Sequence, residues 1–144
     1  MKRVPKVLIV DDEPDVLLLL RIELEAEGYE TLLAADGETA IRRILEERPD
    51  VVLLDVMMPV VDGWGVLQRL AEQRSDARVI VLSAKASDAD VAHALDLGAH
   101  EYVTKPFEPA ALLATVAHVL SSAPADLEAG RRRRLDQLSS SNRS

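Results

Sequence analysis

Asp55 closes an apolar run, Val51-Val52-Leu53-Leu54, and leads into Val56-Met57-Met58-Pro59 and then Asp62-Gly63. A second run, Val7-Leu8-Ile9-Val10, delivers Asp11 and Asp12 in the same way. Later runs end at Ser83 and, after Tyr102-Val103-Thr104, at Lys105. If these runs are strands lying parallel in one sheet, their polar ends gather at its carboxyl edge, where open α/β sheets bind ligands. Three carboxylates, one hydroxyl and one ammonium at a single rim are the parts of a site for a divalent cation and a phosphoryl group.

At about 5 Å and an effective dielectric near 20, each pair of carboxylates costs roughly 3 kcal/mol. The set therefore needs a counter-ion. All-oxygen ligation with open positions suits Mg²⁺ better than a Ca²⁺ cage, Mn²⁺ is a possible substitute, and the lack of His or Cys among these residues tells against zinc. A bound cation and the Lys105 ammonium would offset the repulsion between a carboxylate nucleophile and a negative phosphoryl group, which makes phosphorylation of Asp55 plausible. Ser83 could then donate to one oxygen of the acyl phosphate and Lys105 pair with another, and a loop carrying Ser83 toward it would be the switch.

Five strand-and-helix alternations position this rim. Val4 to Val10 reads as a strand, with Pro14 in the first turn of a helix capped by Asp12 or Glu13 and stopped at Gly28. Tyr29 to Ala35 is a second strand closed by Asp36-Gly37, and residues 38–48 form a helix ended by Pro49. Val51 to Asp55, almost wholly apolar, suits a central parallel strand covered on both faces. A helix over 64–74, a strand Arg78 to Ser83, a helix from Ser87 or Asp88 to Gly98, a strand Glu101 to Thr104 and a helix from about Pro109 to Leu120 complete the pattern. Short connections of this kind give right-handed crossovers, and so a doubly wound α/β sheet with helices on both faces.

The 144 residues suggest a single domain. The absence of cysteine excludes disulfide scaffolds, thiolate metal sites and cysteine nucleophiles, and fits a cytoplasmic setting. The short apolar stretch after Met1-Lys2-Arg3 does not make an export signal, and Val16 to Leu20 is far too short to span a membrane. Residues 1–121 hold 12 Lys/Arg against 22 Asp/Glu, whereas 122–144 hold 5 against 3, so an acidic body carries a weakly basic tail. Ser121-Ser122-Ala123-Pro124 marks the boundary between a domain over 1–121 and an extension over 122–144. In that extension Asp126 is expected to cap a short helix bearing Leu127, Leu135 and Leu138, followed by a disordered serine-rich end.

Single residues carry plainer readings. Asp11 and Asp12 alone would be helix caps, Asp55 a loop-entry cap, Lys105 a solvated lysine and Ser83 a turn residue. It is their joint placement at the ends of strands one, three, four and five that makes a site. Tyr102 alone reads as a core aromatic, and Trp64, placed near the rim, as a packing residue whose fluorescence would report on the site if partly exposed. His93, His100 and His118 read as surface or helix-end residues. Arg131 to Arg134 reads as a solvated helix face or the start of a linker, with folding back on the body as another option; a short basic block on an acidic body argues against nucleic acid as a partner.

The chain resembles the receiver domains of bacterial two-component response regulators, in their single-domain, CheY-like form. The resemblance lies in Val7-Leu8-Ile9-Val10-Asp11-Asp12-Glu13-Pro14, Leu54-Asp55-Val56-Met57-Met58-Pro59 with Asp62-Gly63, Val81-Leu82-Ser83-Ala84 and Tyr102-Val103-Thr104-Lys105-Pro106-Phe107, and covers about residues 4–121. It implies a flavodoxin-like (βα)5 fold with a five-stranded parallel sheet in the order 2-1-3-4-5. It implies that Asp55 accepts a phosphoryl group from a histidine kinase or histidine phosphotransfer protein. Asp12, Asp55 and the Met57 carbonyl would bind Mg²⁺, with Asp11 acting largely through water. By the same resemblance Ser83 is the switch hydroxyl, Tyr102 the switch aromatic and Lys105 the phosphate-binding lysine, with a cis bond before Pro106.

Further expectations follow from that resemblance. Val16 and Leu19 match the surface that docks kinase helices, with a thicker core contact as the plain alternative. Met57 and Lys85 occupy positions that tune phosphate lifetime, and neither side chain orients an attacking water, so self-dephosphorylation should be slow. Output is expected through protein docking on the face made by the fourth helix, fifth strand and fifth helix, by a monomer or a phosphorylation-dependent homodimer. A stand-alone regulator is the reading drawn from chain length. The rivals are the receiver fragment of a longer DNA-binding regulator, a flavin or nucleotide binder, which would want a first loop rich in Gly, Ser or Thr, and an aspartyl-phosphate phosphatase, for which Asp11-Asp12-Glu13-Pro14 lacks the Asp-x-Asp pattern.

Overall fold

The computed structural model describes residues 3–56, 63–73, 75–85 and 87–141. Five parallel strands, β1 (Lys6–Val10), β2 (Glu30–Ala34), β3 (Val51–Asp55), β4 (Arg78–Ser83) and β5 (Glu101–Thr104), form one sheet in the order β2-β1-β3-β4-β5. Between and after them lie α1 (Pro14–Ala26), α2 (Gly37–Glu47), α3 (Gly63–Glu72), α4 (Asp88–Asp96), α5 (Pro109–Ser121) and α6 (Pro124–Ser141). The doubly wound architecture read from the alternation is therefore the observed one.

Strand residues alternate between two cores, as the two-residue period of a strand requires. Val7, Ile9, Val51, Leu53, Ile80 and Leu82 face the core that includes Leu20, Leu24, Leu112 and Val116 of α1 and α5. Leu8, Val10, Val52, Leu54, Val79 and Val81 face the other, with Ile41, Ile44, Val66, Leu67, Val91 and Leu95 of α2, α3 and α4. Burial on both faces explains why β3 is apolar up to its last residue.

Helix ends follow local chemistry, with one departure from expectation. Pro14 starts α1, but Glu13 occupies the N-cap and makes no side-chain cap, and neither it nor Asp12 caps the helix as the sequence suggested. Asp11 takes part of that role, because its Oδ1 accepts from the Glu13 N–H at 2.9 Å. Asp36 caps α2 through the Thr39 N–H, and Ser87 caps α4 through the Asp90 N–H. Gly28 and Gly98 stop α1 and α4 at positive φ, where L side chains are strained. Beyond Pro124 the helix does not end early: α6 runs on through Ser139 and Ser140.

Candidate functional site

Parallel register lines up the polar residues. Val10 of β1 pairs with Leu54 of β3, so Asp11 emerges beside Asp55. Asp55 pairs with Leu82 of β4, one residue before Ser83, and Ser83 pairs with Thr104 of β5, one residue before Lys105. Two backbone bonds extend these pairings past the strand ends, from Asp11 N–H to the Ala34 carbonyl at 3.1 Å and from Lys105 N–H to the Ser83 carbonyl at 2.8 Å. The sheet thus holds the row of side chains on its carboxyl edge by ladder geometry.

Within this row Asp11, Asp12 and Asp55 each place a carboxylate oxygen within 4.8 Å of the others. Asp11 is fully buried, Asp12 is exposed, and the Asp55 side chain retains 5% exposure, so the acidic pocket opens to solvent chiefly past Asp12. The Lys105 ammonium bonds Asp11 Oδ2 at 2.7 Å and Asp55 Oδ2 at 3.3 Å. Its closest partner is therefore Asp11 rather than the Asp55 oxygens. The reason is electrostatic: a carboxylate with no solvent access needs a counter-charge, and Asp11 obtains one from a residue 94 positions away. Burial works to lower the Lys105 pKa, but the hydrogen bond and charge of Asp11, and then Asp55, outweigh it and hold the ammonium above its ordinary 10.5.

One lysine among three clustered carboxylates leaves the pocket negative. An all-oxygen donor set of this charge fits a hard divalent cation, and no histidine or cysteine belongs to the cluster. Met57, whose carbonyl was expected to complete the ligand set, and Asp62 lie outside the described residues. Gly63 shows why the start of α3 belongs to the site. A Cβ at this position would overlap the Val56 Cα and the Asp55 carbonyl, so α3 begins in contact with the Asp55 backbone.

Ser83 is fully buried at the end of β4, and its Oγ accepts from the Lys85 N–H at 3.0 Å. The Tyr102 ring packs in the α2–α4 core, and its hydroxyl donates to the Lys85 carbonyl at 2.5 Å. Burial raises the Tyr102 pKa above 10.0, and a hydrogen bond with Ser83 works against that rise. Both residues are thus tied to the backbone of one segment, that of Lys85 just before α4. The Lys105–Pro106 bond is cis, as the resemblance implied.

Several features were not read from the sequence. The rings of Trp64 and His93 approach to 4.6 Å at a tilt of 47°, joining α3 to α4. His100 is half-buried under α6, with its Nδ1 accepting from the Val79 N–H at 3.1 Å. Val16 of α1 is partly buried and Leu19 exposed, and Leu18 and Ile22, each 57% exposed, extend the apolar surface beyond the pair singled out by pattern. A cleft of about 700 Å³ lies at the opposite, amino edge of the sheet among Arg3, Arg48, Asp50 and Arg78, away from the acidic cluster. The arginine block, by contrast, takes the fold-back option that the sequence left open: Arg131 donates to the Leu95 carbonyl at 2.7 Å, and Arg134 pairs with Glu101 at 3.5 Å.

This arrangement has relatives. The response regulator receiver domain family matches residues 7–117. The chain is 41% identical over 115 residues to the alkaline phosphatase synthesis transcriptional regulatory protein PhoP of Bacillus subtilis, covering 80% of this chain and 48% of that one. It is 44% identical over 116 residues to the transcriptional regulatory protein PrrA of Mycobacterium tuberculosis, covering 81% and 50%. The structure of a Francisella response regulator receiver domain superposes with a TM-score of 0.78 at 34% identity, covering 81% of this chain and 96% of that chain. The chain spans about half the length of the curated relatives it matches. Because that family's match spans residues 7–117, most of the sequence, the chain belongs to the response regulator receiver domain family.

Proposed function

We propose that the chain is a phosphoacceptor switch in which Asp55 takes a phosphoryl group from the phosphohistidine of a histidine kinase or phosphotransfer protein. The observation that carries this reading is the clustering of Asp11, Asp12 and Asp55 within 4.8 Å, with Lys105 Nζ at 3.3 Å from Asp55 Oδ2. An Asp55 carboxylate oxygen attacks phosphorus, the P–N bond to the donor imidazole breaks, and the imidazole keeps the electron pair and takes a proton from water. Asp12, Asp55 and, as the resemblance implies, Met57 would hold Mg²⁺ or Mn²⁺, with Asp11 acting through water. The cation would supply positive charge against the phosphoryl oxygens.

Lys105 is set to follow the developing charge, since it already spans Asp11 and Asp55. Ser83 would turn its hydroxyl from the Lys85 N–H toward a phosphoryl oxygen, and Tyr102, bonded to the Lys85 carbonyl, would respond to the same movement. The surface that changes is then the one around α4 and β5, and its proposed output is a protein contact. Kinase docking at Val16 and Leu19 is supported by the exposed apolar surface that Leu18 and Ile22 add to α1.

The test is incubation of the full chain with Mg²⁺ and acetyl phosphate, followed by intact-mass detection. Wild type should gain one acid- and base-labile phosphoryl group, transferred with loss of acetate. Asp55→Asn should gain none. Equal labelling of both forms would refute the assignment, and turnover of phosphate monoesters would point instead to a phosphatase.

A further inference from the structure

Among the described residues β5 is an edge strand paired with β4, and α6 crosses that edge from one face of the sheet to the other. At its first turn Leu127 is buried in the core shared by α1 and α5. Two turns later Leu135 and Leu138 pack on the core that contains Val91, Leu95 and Tyr102. Between these anchors the Arg131 guanidinium donates to the Leu95 carbonyl of α4 at 2.7 Å. Glu128, three residues earlier on α6, holds that guanidinium at 2.5 and 3.0 Å and so sets its direction. The Arg134–Glu101 pair ties the helix to β5 itself, although its partial exposure makes it the weakest of these ties. One helix thus grips α4, β5 and the α5 layer together.

The gripped elements are the ones a switch at Asp55 would have to move. Ser83 Oγ and the Tyr102 hydroxyl both engage the Lys85 backbone, two residues before the Ser87 cap of α4. Turning Ser83 toward Asp55 displaces that segment, and a rigid α4 carries the displacement to Leu95 at its far end. A strap fitted to the present spacing of α4 and β5 resists such a change, because the Arg131 bond and the Leu135 and Leu138 contacts are short-ranged.

We infer that α6 is an intrachain strap across the β5 edge, and that its docking and formation of the acyl phosphate at Asp55 oppose each other. The inference rests on the phosphoacceptor reading above. Because binding linkage is reciprocal, weakening α6 favours the phosphorylated arrangement by the same factor as that arrangement loosens α6.

The experiment uses the full chain with Mg²⁺ and beryllofluoride, a non-covalent mimic of the acyl phosphate. Arg131→Ala combined with Leu135→Ala should bind beryllofluoride about tenfold more tightly than wild type, a shift in the middle of the usual range of coupling. Hydrogen exchange of the α6 amides in wild type should speed up by a similar factor when beryllofluoride binds. As a control against simple damage, Arg134→Glu should act in the same direction more weakly, and Glu101→Arg added to it should return affinity toward wild type. Unchanged affinity with unchanged α6 exchange overturns the strap, as does slower α6 exchange on binding. Failure of wild type to take label at Asp55 from acetyl phosphate removes the phosphoacceptor reading and the strap with it, whereas normal labelling with an indifferent α6 removes the strap alone.

Discussion

Replacing Lys105 with methionine keeps the aliphatic stem and deletes a cation bonded to both Asp11 and Asp55. At its distances of 2.7 and 3.3 Å, an effective dielectric of 20 gives gross attractions of about 6 and about 5 kcal/mol. Dehydration of the ammonium and the carboxylates cancels much of this. What remains is the cost of leaving buried charge uncompensated, about 3 to 5 kcal/mol when one partner of such a pair is removed. Asp12 is exposed and Lys105 itself retains 17% exposure, so water can enter and the lower end applies. The variant should therefore lose about 3 kcal/mol, or roughly 10 °C in Tm, in EDTA. Mg²⁺ should restore most of it, since a ligand at 100 times its Kd contributes about 2.7 kcal/mol. The gain from Mg²⁺ should be larger in the variant than in wild type, because the pocket has lost its internal cation. The pH dependence has a fixed sign. The folded-state pKa of Lys105 lies above 10.5, so its contribution is complete below that value and is lost as pH rises through the folded value. The gap between the two proteins should thus be constant near neutrality and close at high pH. Urea unfolding with and without Mg²⁺ measures all of this. A variant as stable as wild type in EDTA, or one that Mg²⁺ leaves unchanged, would refute the view that charge compensation governs this pocket.

Gly63→Ala should cost more than about 3 kcal/mol, because the new Cβ meets backbone atoms of Asp55 and Val56 that cannot move aside singly. By contrast Gly130→Ala, where the nearest atom is the Arg133 guanidinium at 3.8 Å, should stabilise α6 by up to about 1 kcal/mol; chemical denaturation of the two variants checks both signs. Asp12→Asn should leave stability almost unchanged while weakening Mg²⁺ binding by at least tenfold, since Asp12 is exposed and belongs to the acidic cluster; titration calorimetry reads the affinity. His100 is held below its ordinary 6.5 by burial, then by the charges of Arg78 and Arg131 against the opposing charge of Glu128. Its neutral form is favoured in the fold, so its contribution is complete above pH 6.5 and is lost as pH falls from there through the lower folded value. Stability measured between pH 7 and pH 5 should fall in wild type and less so in His100→Asn.

Much of the site was legible because a parallel sheet converts strand order into position. Apolar runs ending in Asp11, Asp55 and Ser83 marked strand tips, and once those strands paired in register, the tips had to meet. Helix punctuation was legible for the same local reasons at Pro14, Gly28, Ser87 and Gly98. Where neighbouring residues compete for one local role, pattern misleads: the sequence favours Asp12 or Glu13 as the cap of α1, yet it is Asp11, its plainer cap candidate, that bonds the Glu13 N–H from the strand side.

What the tertiary structure alone decided are distances between groups far apart in the chain, for which composition and periodicity carry no signal. Position after an apolar run does not by itself say which of Asp11 and Asp12 loses water, but packing turns one fully inward and the other to solvent, and only then does Lys105 acquire Asp11 as its closest partner. The Asp62-Gly63 motif marks Gly63 in the sequence, but only the start of α3 against the Asp55 backbone shows why no side chain fits there. The arginine block is compositionally a solvated face, and it becomes a strap because Leu127, Leu135 and Leu138 find two different cores on either side of the β5 edge. Amino-acid order thus determined which groups reach the rim, through the two-residue period of a strand. Packing determined which of them lose water, and with it which charges must find each other.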